Sequence, residues 1–263
     1  MNEANDRGHW TVVGEEFARI QASGLPVRPN YTWCVLHAAS VASRTGVPEI
    51  SVLEFGVAGG NGLVALEAAA AEAERALGVA IKVHGFDTGE GMPPATDPRD
   101  AAFLMERGDF PMDQGALRGR LERAELVLGD VASTVPTFLE SGPAPVGFVA
   151  FDLDYYSSSR DALRLFDGDS AALLPRVLCY FDDIHGYPWG DSIGVRAAIR
   201  EFNDGHRDRK IDAIEGMRYL IDATVAGQGG ERWVEALYLA HLFDHPRYGE
   251  FEGTHLVRRL DLS

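Results

Sequence analysis

The stretch from Ile50 to Gly62 constrains the fold more than any other part of the chain. An apolar, β-prone run, Ile-Ser-Val-Leu-Glu-Phe, is followed at once by glycines at Gly56, Gly59, Gly60 and Gly62. Glycine allows positive φ angles and lets a ligand approach the main chain closely, and the alanine-rich run behind the glycines is a good helix former. A strand, a glycine-rich turn and a helix N-terminus together predict a site for a nucleotide-like cofactor.

Strands and helices alternate along the whole chain. Apolar runs predict strands at residues 50–57, 79–86, 125–128, 146–151, 176–181, 210–214 and 233–243. Helical spacing predicts helices at 14–22, 32–43, 63–77, 115–124, 131–140, 155–166 and 193–202. This alternation predicts an α/β fold: a Rossmann-like, doubly wound, mostly parallel seven-stranded sheet with helices on both faces.

The domain organisation follows from length and spacing. A chain of 263 residues with 46% hydrophobic content is long enough for one large α/β unit. Residues 1–48 predict an N-terminal helical cap, and residues 49–263 a single globular unit. Within it, periodicity fails over about residues 88–115, where four prolines interrupt any long element. A loop of that length in a compact domain is usually functional or mobile, so we interpret it as a lid.

The charge balance limits the classes of partner. The chain has 40 acidic and 24 basic residues, a formal net charge of −16. This charge would repel phosphate backbones and anionic lipids, so we expect neither nucleic acid nor a membrane as a partner. Cys34 and Cys179 lie in apolar runs and predict buried free thiols in a reducing compartment. We recognise neither a signal peptide nor a membrane span and expect a cytoplasmic protein.

Carboxylates recur where the predicted strands end. They are Glu54 in the first strand, Asp87, Asp130, Asp152 with Asp154, and Asp182 with Asp183. The carboxyl ends of parallel strands share the edge of the sheet at which ligands bind. Acids gathered at one edge repel each other unless hydroxyl groups or cations lie among them. The pattern therefore indicates a ligand site.

Two of these acids have alternative roles that the residues alone leave open. Asp87 lies at the end of the second strand, where an acid can accept hydrogen bonds from a ribose diol, or it caps a turn or helix. Asp130 would contact an adenine amino group, or cap the helix that begins at Val131.

The acids of the fourth and fifth strands, Asp152, Asp154, Asp182 and Asp183, predict a metal site. Hard oxygen ligands in this number suit Mg²⁺. The alternative is that one acid of each pair caps a helix and the other is solvated. His185 is the nearest group that could accept a proton near neutral pH, or it is a solvated bystander. Aromatic residues beside this edge would line an acceptor pocket or pack over the sheet rim: Tyr155, Tyr156, Tyr187 and Trp189.

The motif Leu53-Glu-Phe-Gly-Val-Ala-Gly-Gly-Asn-Gly62 resembles the cofactor turn of class I S-adenosylmethionine-dependent methyltransferases. Further motifs resemble, in order and at similar spacing, the macrocin O-methyltransferase (TylF/MycF-like) family. They are Gly85-Phe-Asp-Thr-Gly-Glu-Gly-Met-Pro-Pro94, Asp152-Leu-Asp-Tyr-Tyr-Ser-Ser-Ser-Arg-Asp-Ala-Leu163, Phe181-Asp-Asp183 and Gly194-Val-Arg-Ala-Ala-Ile-Arg-Glu-Phe202. That family methylates sugar hydroxyls of natural products, with Mg²⁺ bound by three aspartates. The resemblance covers about residues 50–205.

The resemblance implies roles for individual residues. Gly56 and its neighbours would hold the amino acid end of S-adenosylmethionine, Asp87 its ribose, and Asp152, Asp182 and Asp183 the metal ion. The cofactor contacts that we expect are Glu54, Gly56, Val57, Ala58, Gly59, Asn61, Gly62, Asp87, Thr88, Asp130 and Asp152. The catalytic residues that we expect are His185 and Asp152.

We therefore expect a Mg²⁺-dependent O-methyltransferase that acts on a hydroxyl group of a small molecule, with a sugar, a phenol and a polyketide all compatible. An NAD(P)-dependent dehydrogenase is one alternative, because Gly60-Asn-Gly-Leu-Val-Ala65 fits G-x-G-x-x-A, although hydride transfer has no use for the acidic edge. A methyltransferase-like binding protein without activity is the other. The N-terminal helices would either form a homo-oligomer or cover the pocket.

Overall fold

A computed structural model describes residues 9–25, 27–186, 190–217 and 231–250. Within these ranges the chain forms one seven-stranded sheet. Its strands are β1 (Glu49–Phe55), β2 (Ala80–Asp87), β3 (Glu125–Leu128), β4 (Val146–Phe151), β5 (Leu173–Phe181), β6 (Arg209–Ala213) and β7 (Leu237–Leu242).

The strand order across the sheet is β3-β2-β1-β4-β5-β7-β6. The first five strands in this order pair in parallel, whereas β7 is antiparallel to both β5 and β6. The central strands β1 and β4 are buried almost throughout, as expected for strands that are covered on both faces. The predicted fold, a Rossmann-like and mostly parallel seven-stranded sheet, is confirmed.

Helices cover the sheet in two layers. They are α1 (His9–Gln21), α2 (Pro29–Thr45), α3 (Asn61–Leu77), α4 (Gln114–Arg118), α5 (Val131–Glu140), α6 (Tyr156–Leu163) and α7 (Gly194–Gly205). Helix α2 contacts both α1 and α3, and helix α6 contacts both α5 and α7. None of the described helices is both long and apolar enough to cross a bilayer. Cys34 and Cys179 are free and buried, as predicted.

The helix α2 belongs to the main hydrophobic core. It is buried from Asn30 to Ala42 and packs against β4 and β5. Its residues therefore form a layer of the same unit as the sheet, and the separation of a cap at residue 48 stays a prediction.

Most predicted boundaries lie within three residues of the observed ones, and two of the larger differences have identifiable reasons. Strands β3 and β4 and helix α5 have the predicted bounds, but the helix predicted at 115–124 ends at Arg118. The backbone N–H groups of residues 122–124 donate instead to the buried carboxylate of Glu67, which a continuous helix would prevent. The strand predicted at 233–243 begins at Leu237, because a 3₁₀ helix (Glu231–Ala236) precedes it.

Candidate active site

The glycine turn connects β1 to α3 and packs against the chain after β4. Gly56, Ala58 and Gly60 have positive φ angles of 85°, 44° and 78°. A Cβ atom on Gly56 would lie 1.9 Å from the backbone oxygen of Asp152. A Cβ atom on Gly60 would lie 2.1 Å from Cδ1 of Leu117. The turn therefore requires glycine at these two positions for its backbone angles and for its close contacts.

Asp87 shapes this turn directly. Its Oδ2 atom accepts hydrogen bonds from the backbone N–H groups of Val57 and Ala58, both at 2.9 Å, and Oδ1 accepts one from Gly89 at 2.7 Å. Each carboxylate oxygen has two lone pairs, so Oδ1 keeps one acceptor position for a ribose hydroxyl. The alternative role of Asp87, as an acid that caps a turn, is therefore observed, whereas its ribose contact stays a prediction.

Arg120 stabilises the glycine turn through two hydrogen bonds. Its Nη1 atom donates to the backbone oxygen of Gly59 and its Nη2 atom to Oδ1 of Asn61, each at 2.7 Å. Sequence reasoning missed Arg120, because it lies about 60 residues away in a stretch without a motif. Asn61 thus contacts the protein itself, and its predicted cofactor contact stays a prediction.

Two other predicted cofactor contacts stabilise local turns. The hydroxyl of Thr88 donates to the backbone oxygen of Gly91 at 3.0 Å and accepts from the N–H group of Glu90 at 3.1 Å. Asp130 caps α5, since its Oδ1 atom accepts from the N–H group of Ala132 at 2.9 Å. The capping alternative for Asp130 is therefore observed, whereas its adenine contact is a prediction.

Three of the four predicted metal ligands converge. Asp152, Asp182 and Asp183 each offer a carboxylate oxygen, and these oxygens lie within 4.8 Å of one another. The cause is the register of the sheet, in which Phe151 pairs with Phe181, so that the residues just after β4 and β5 become neighbours. Tyr180 donates a hydrogen bond of 2.7 Å to Oδ1 of Asp182 and so orients that carboxylate. Three hard oxygen donors in this arrangement suit Mg²⁺.

Burial and neighbouring acids both affect the pKa values of the acids at this edge. Burial, followed by the charge of Asp182, raises the pKa of Asp152 to about 7. Burial, followed by the charges of Asp154 and Asp152, raises the pKa of Asp183 to about 8. Asp154 is not among the three converging ligands, and its own pKa is also raised, mainly by burial. A divalent cation among these groups would offset the repulsion that adds to the effect of burial.

Glu54 is a buried acid below the glycine turn. Tyr31, in α2, donates a hydrogen bond of 2.7 Å to its Oε1 atom. The Oε2 atom is also buried, and among the described residues it has no hydrogen-bond partner. Burial raises the pKa of Glu54 to about 8. Sequence reasoning missed Tyr31, because nothing in its local pattern indicates contact with β1.

The predicted base and the predicted aromatic residues have different environments. His185 is exposed directly after the 3₁₀ helix Asp182–Ile184, and its role as a base stays a prediction. Tyr155 and Tyr156 are buried. The ring of Tyr156 lies 3.7 Å from the guanidinium carbon of Arg99, which supports packing over the rim of the sheet rather than an open pocket wall. Tyr187 and Trp189 lie outside the described residues.

The predicted lid is anchored close to the acidic edge. Between residues 88 and 113 it has no regular element in the structure except a 3₁₀ turn at Pro98–Asp100. Asp100 is fully buried and accepts a hydrogen bond of 2.8 Å from the backbone N–H of Ser157, in α6. Burial, followed by the charges of Asp100, Asp154 and Asp109, raises the pKa of Tyr155. Whether this segment opens and closes stays a prediction.

A separate groove of about 670 Å³ lies between the beginnings of β1, β2 and β3 and the helix α5. Lys82 pairs with Glu49 at 3.5 Å, and Nδ1 of His84, whose pKa is lowered by burial, lies 3.4 Å from Oε2 of Glu125. The groove contains none of the predicted site residues. The groove is therefore distinct from the candidate site.

Comparison with known proteins agrees with this architecture. No protein-family model and no curated protein matches the chain. Among solved structures, the O-methyltransferase NovP is 16% identical, with 81% of this chain and 79% of that chain covered and a TM-score of 0.54. The calicheamicin methyltransferase CalS11 is 21% identical over 77% and 88% of the two chains, with a TM-score of 0.49. TomG from Streptomyces achromogenes is 17% identical over 92% and 90%, with a TM-score of 0.45. The similarity to NovP shows that this chain shares the fold of that O-methyltransferase.

Proposed function

We propose that this chain is an S-adenosylmethionine-dependent and Mg²⁺-dependent O-methyltransferase that acts on a hydroxyl group of a small molecule, a sugar or another natural-product acceptor. The narrower relationship to the macrocin O-methyltransferase family is part of this proposal. Its support is the glycine turn, the carboxylate cluster and the fold shared with NovP, which is an O-methyltransferase.

One observation carries the proposal: Asp152 belongs to both parts of the site. Its backbone N–H donates to the backbone oxygen of Phe55 at 2.9 Å, and its own backbone oxygen lies against Gly56 at the start of the turn. Its carboxylate is one of the three that converge. A methyl donor held over the turn and a hydroxyl group held at the carboxylates would therefore be neighbours, as methyl transfer requires.

The residues at this edge fit both the cofactor and the metal ion. For the cofactor, the main chain at Gly56 leaves no room for a side chain, and the buried Oε2 atom of Glu54 lacks a hydrogen-bond donor among the described residues. For the metal, Asp152, Asp182 and Asp183 each offer a carboxylate oxygen within 4.8 Å of the others, which is a set of hard donors that suits a divalent cation. Asp152, Asp182 and Asp183 would hold Mg²⁺, and the turn with Glu54 and Asp87 would hold S-adenosylmethionine.

S-adenosylmethionine supplies an activated methyl group, and Mg²⁺ lowers the pKa of a hydroxyl that it binds. The chain contributes alignment, which is worth on the order of 7 kcal/mol or more in well-oriented reactions. His185, or the spare carboxylate of Asp154, accepts the proton that the acceptor hydroxyl releases. The segment over residues 88–115 excludes water from the edge.

The test uses Asp182→Asn, which removes one metal ligand. We expect this variant to bind S-adenosylhomocysteine like the wild type in titration calorimetry and to lose Mg²⁺-dependent methyl transfer to a panel of sugar, phenol and polyketide acceptors. Asp212→Asn is the matched control, since Asp212 is exposed on β6, the far edge strand. Full, metal-independent transfer by the Asp182 variant would contradict the metal role.

The alternatives give different results in the same assays. A dehydrogenase would be stabilised by NAD rather than by S-adenosylhomocysteine in a thermal shift experiment. A binding protein without activity would bind the cofactor and transfer no methyl group, and it would be favoured by carboxylates that diverge, whereas these converge. A cytoplasmic location and the formation of a homo-oligomer stay predictions.

A further inference from the structure

A half-buried cation lies beside the buried anion below the glycine turn. Arg28 precedes α2, and its guanidinium lies over the ring of Tyr31 with 5.3 Å between its Cζ atom and the ring centroid. The charges of Arg28 and Glu54 interact, and Arg28 also interacts with Asp152. A residue of the N-terminal helical layer therefore reaches the edge at which the cofactor is expected.

Neither charge is fully paired. In the described ranges Arg28 makes one side-chain hydrogen bond, a long one of 3.4 Å from Nη1 to the hydroxyl of Tyr31, and it forms no ion pair. That hydroxyl in turn donates to Oε1 of Glu54, which leaves the buried Oε2 atom unpartnered among the described residues. A buried or half-buried charged group that is incompletely paired is costly, and a ligand that supplies a further partner gains free energy of binding.

Gly62 brings the two groups together at the first turn of α3. A Cβ atom at this position would lie 1.8 Å from Oε1 of Glu54 and 3.1 Å from Nη1 of Arg28. Only a residue without a side chain leaves the carboxylate and the guanidinium in their places. The fourth glycine of the turn is thus needed because two oppositely charged side chains occupy the space beside it, and not because of its backbone angle.

We propose that Arg28 binds the carboxylate of the amino acid end of the cofactor, while Glu54 accepts hydrogen bonds from its ammonium group. This inference rests on the proposed function. A zwitterion is a ligand that completes the pairing of one cation and one anion at the same time. The N-terminal helices are thereby part of the cofactor site, in addition to any role in covering the acceptor or in assembly.

The experiment compares two ligands by titration calorimetry. S-adenosylhomocysteine carries both charges, whereas its decarboxylated analogue keeps the ammonium and the adenosine and lacks the carboxylate. The wild type should bind S-adenosylhomocysteine about 10-fold to 100-fold more tightly than the analogue, as expected for a charge-assisted contact. Arg28→Gln should lose this preference, with the affinity for the analogue unchanged within about twofold.

Two further variants make the result specific. Arg120→Gln is the matched control, since Arg120 supports the turn through Gly59 and Asn61 and its loss should weaken both ligands equally. Arg28→Lys keeps the charge without the planar fork and replaces Arg28→Gln if the latter does not fold; we expect it to retain part of the preference.

Retained preference for S-adenosylhomocysteine in Arg28→Gln, or an equal loss for both ligands, would overturn the role of Arg28 and leave the proposed function standing. If the wild type binds neither ligand, the proposed function itself fails, and this inference fails with it.

Discussion

Replacing Glu54 with glutamine should stabilise the ligand-free protein, and the gain should grow with pH. The side chain is 1% exposed, and burial raises its pKa from an ordinary value of 4.5 to about 8. Tyr31 donates to one carboxyl oxygen only. Above this pKa the folded protein has to hold a buried and incompletely paired charge. Glutamine keeps an acceptor for Tyr31 and carries no charge.

The sign and size follow from the difference between the folded and unfolded pKa values. Because the folded value is the higher one, the stability contributed by this carboxyl is complete below pH 4.5 and is lost as the pH rises through about 8. A difference of about 3.5 in pKa corresponds to about 5 kcal/mol. Glutamine avoids this loss, so the free energy of unfolding of the variant should exceed that of the wild type by about 1 kcal/mol at pH 5, about 3 at pH 7 and up to about 5 at pH 9.

Urea unfolding of both proteins from pH 5 to pH 9, without metal or cofactor, measures this difference. Glu67→Gln is the matched control, since Glu67 is also buried but its two oxygens accept from the backbone N–H groups of residues 122–124. The same change there should destabilise the protein, because an amide cannot replace those acceptors. A Glu54→Gln variant whose advantage does not increase with pH would refute the reasoning.

Two other substitutions test the turn and the lid. Gly56→Ala should lower the free energy of unfolding by about 3 kcal/mol or more, because Gly56 has a φ of 85° and an added Cβ would lie 1.9 Å from a backbone oxygen. Gly59→Ala is the control, since the space around its Cβ is open. Its free energy of unfolding, measured in urea, should change little. Asp100→Asn should speed limited proteolysis between residues 101 and 107. The reason is that an amide cannot accept all the hydrogen bonds that Asp100 accepts from Thr96, Asp97 and Ser157. Equal cleavage rates in the variant and the wild type would show that Asp100 does not hold this segment in place.

The fold was predictable because its signals are local. An apolar run covered on both faces, such as β4, indicates a buried strand whatever its neighbours are, and the glycines of the turn follow β1 directly. The convergence of Asp152, Asp182 and Asp183 was predictable for a related reason. Parallel strands end at one edge, so strand order and register alone bring the residues after β4 and β5 together.

The contacts that the sequence did not predict join residues of different secondary-structure elements. Arg28 and Tyr31 reach Glu54 only because α2 packs on the sheet beside β1, and no local pattern encodes that approach. The same holds for Arg120, whose guanidinium fastens a turn about 60 residues earlier in the chain. Such contacts depend on how a helix or loop packs on the sheet, and the hydrophobic periodicity of the sequence does not specify that packing.

The excess of negative charge at this edge links stability to ligand binding. Glu54, Asp152 and Asp183 all have raised pKa values, first because they are buried and also because neighbouring acids repel them. The ligand-free fold therefore loses stability at neutral pH by keeping these groups together, as natural proteins often do at functional sites. An ammonium group at Glu54 and a divalent cation at the aspartates would each supply the missing positive charge. Under the proposed function, each of these two ligands should thus raise the unfolding temperature of the wild type, and a cation should do so less in Asp182→Asn.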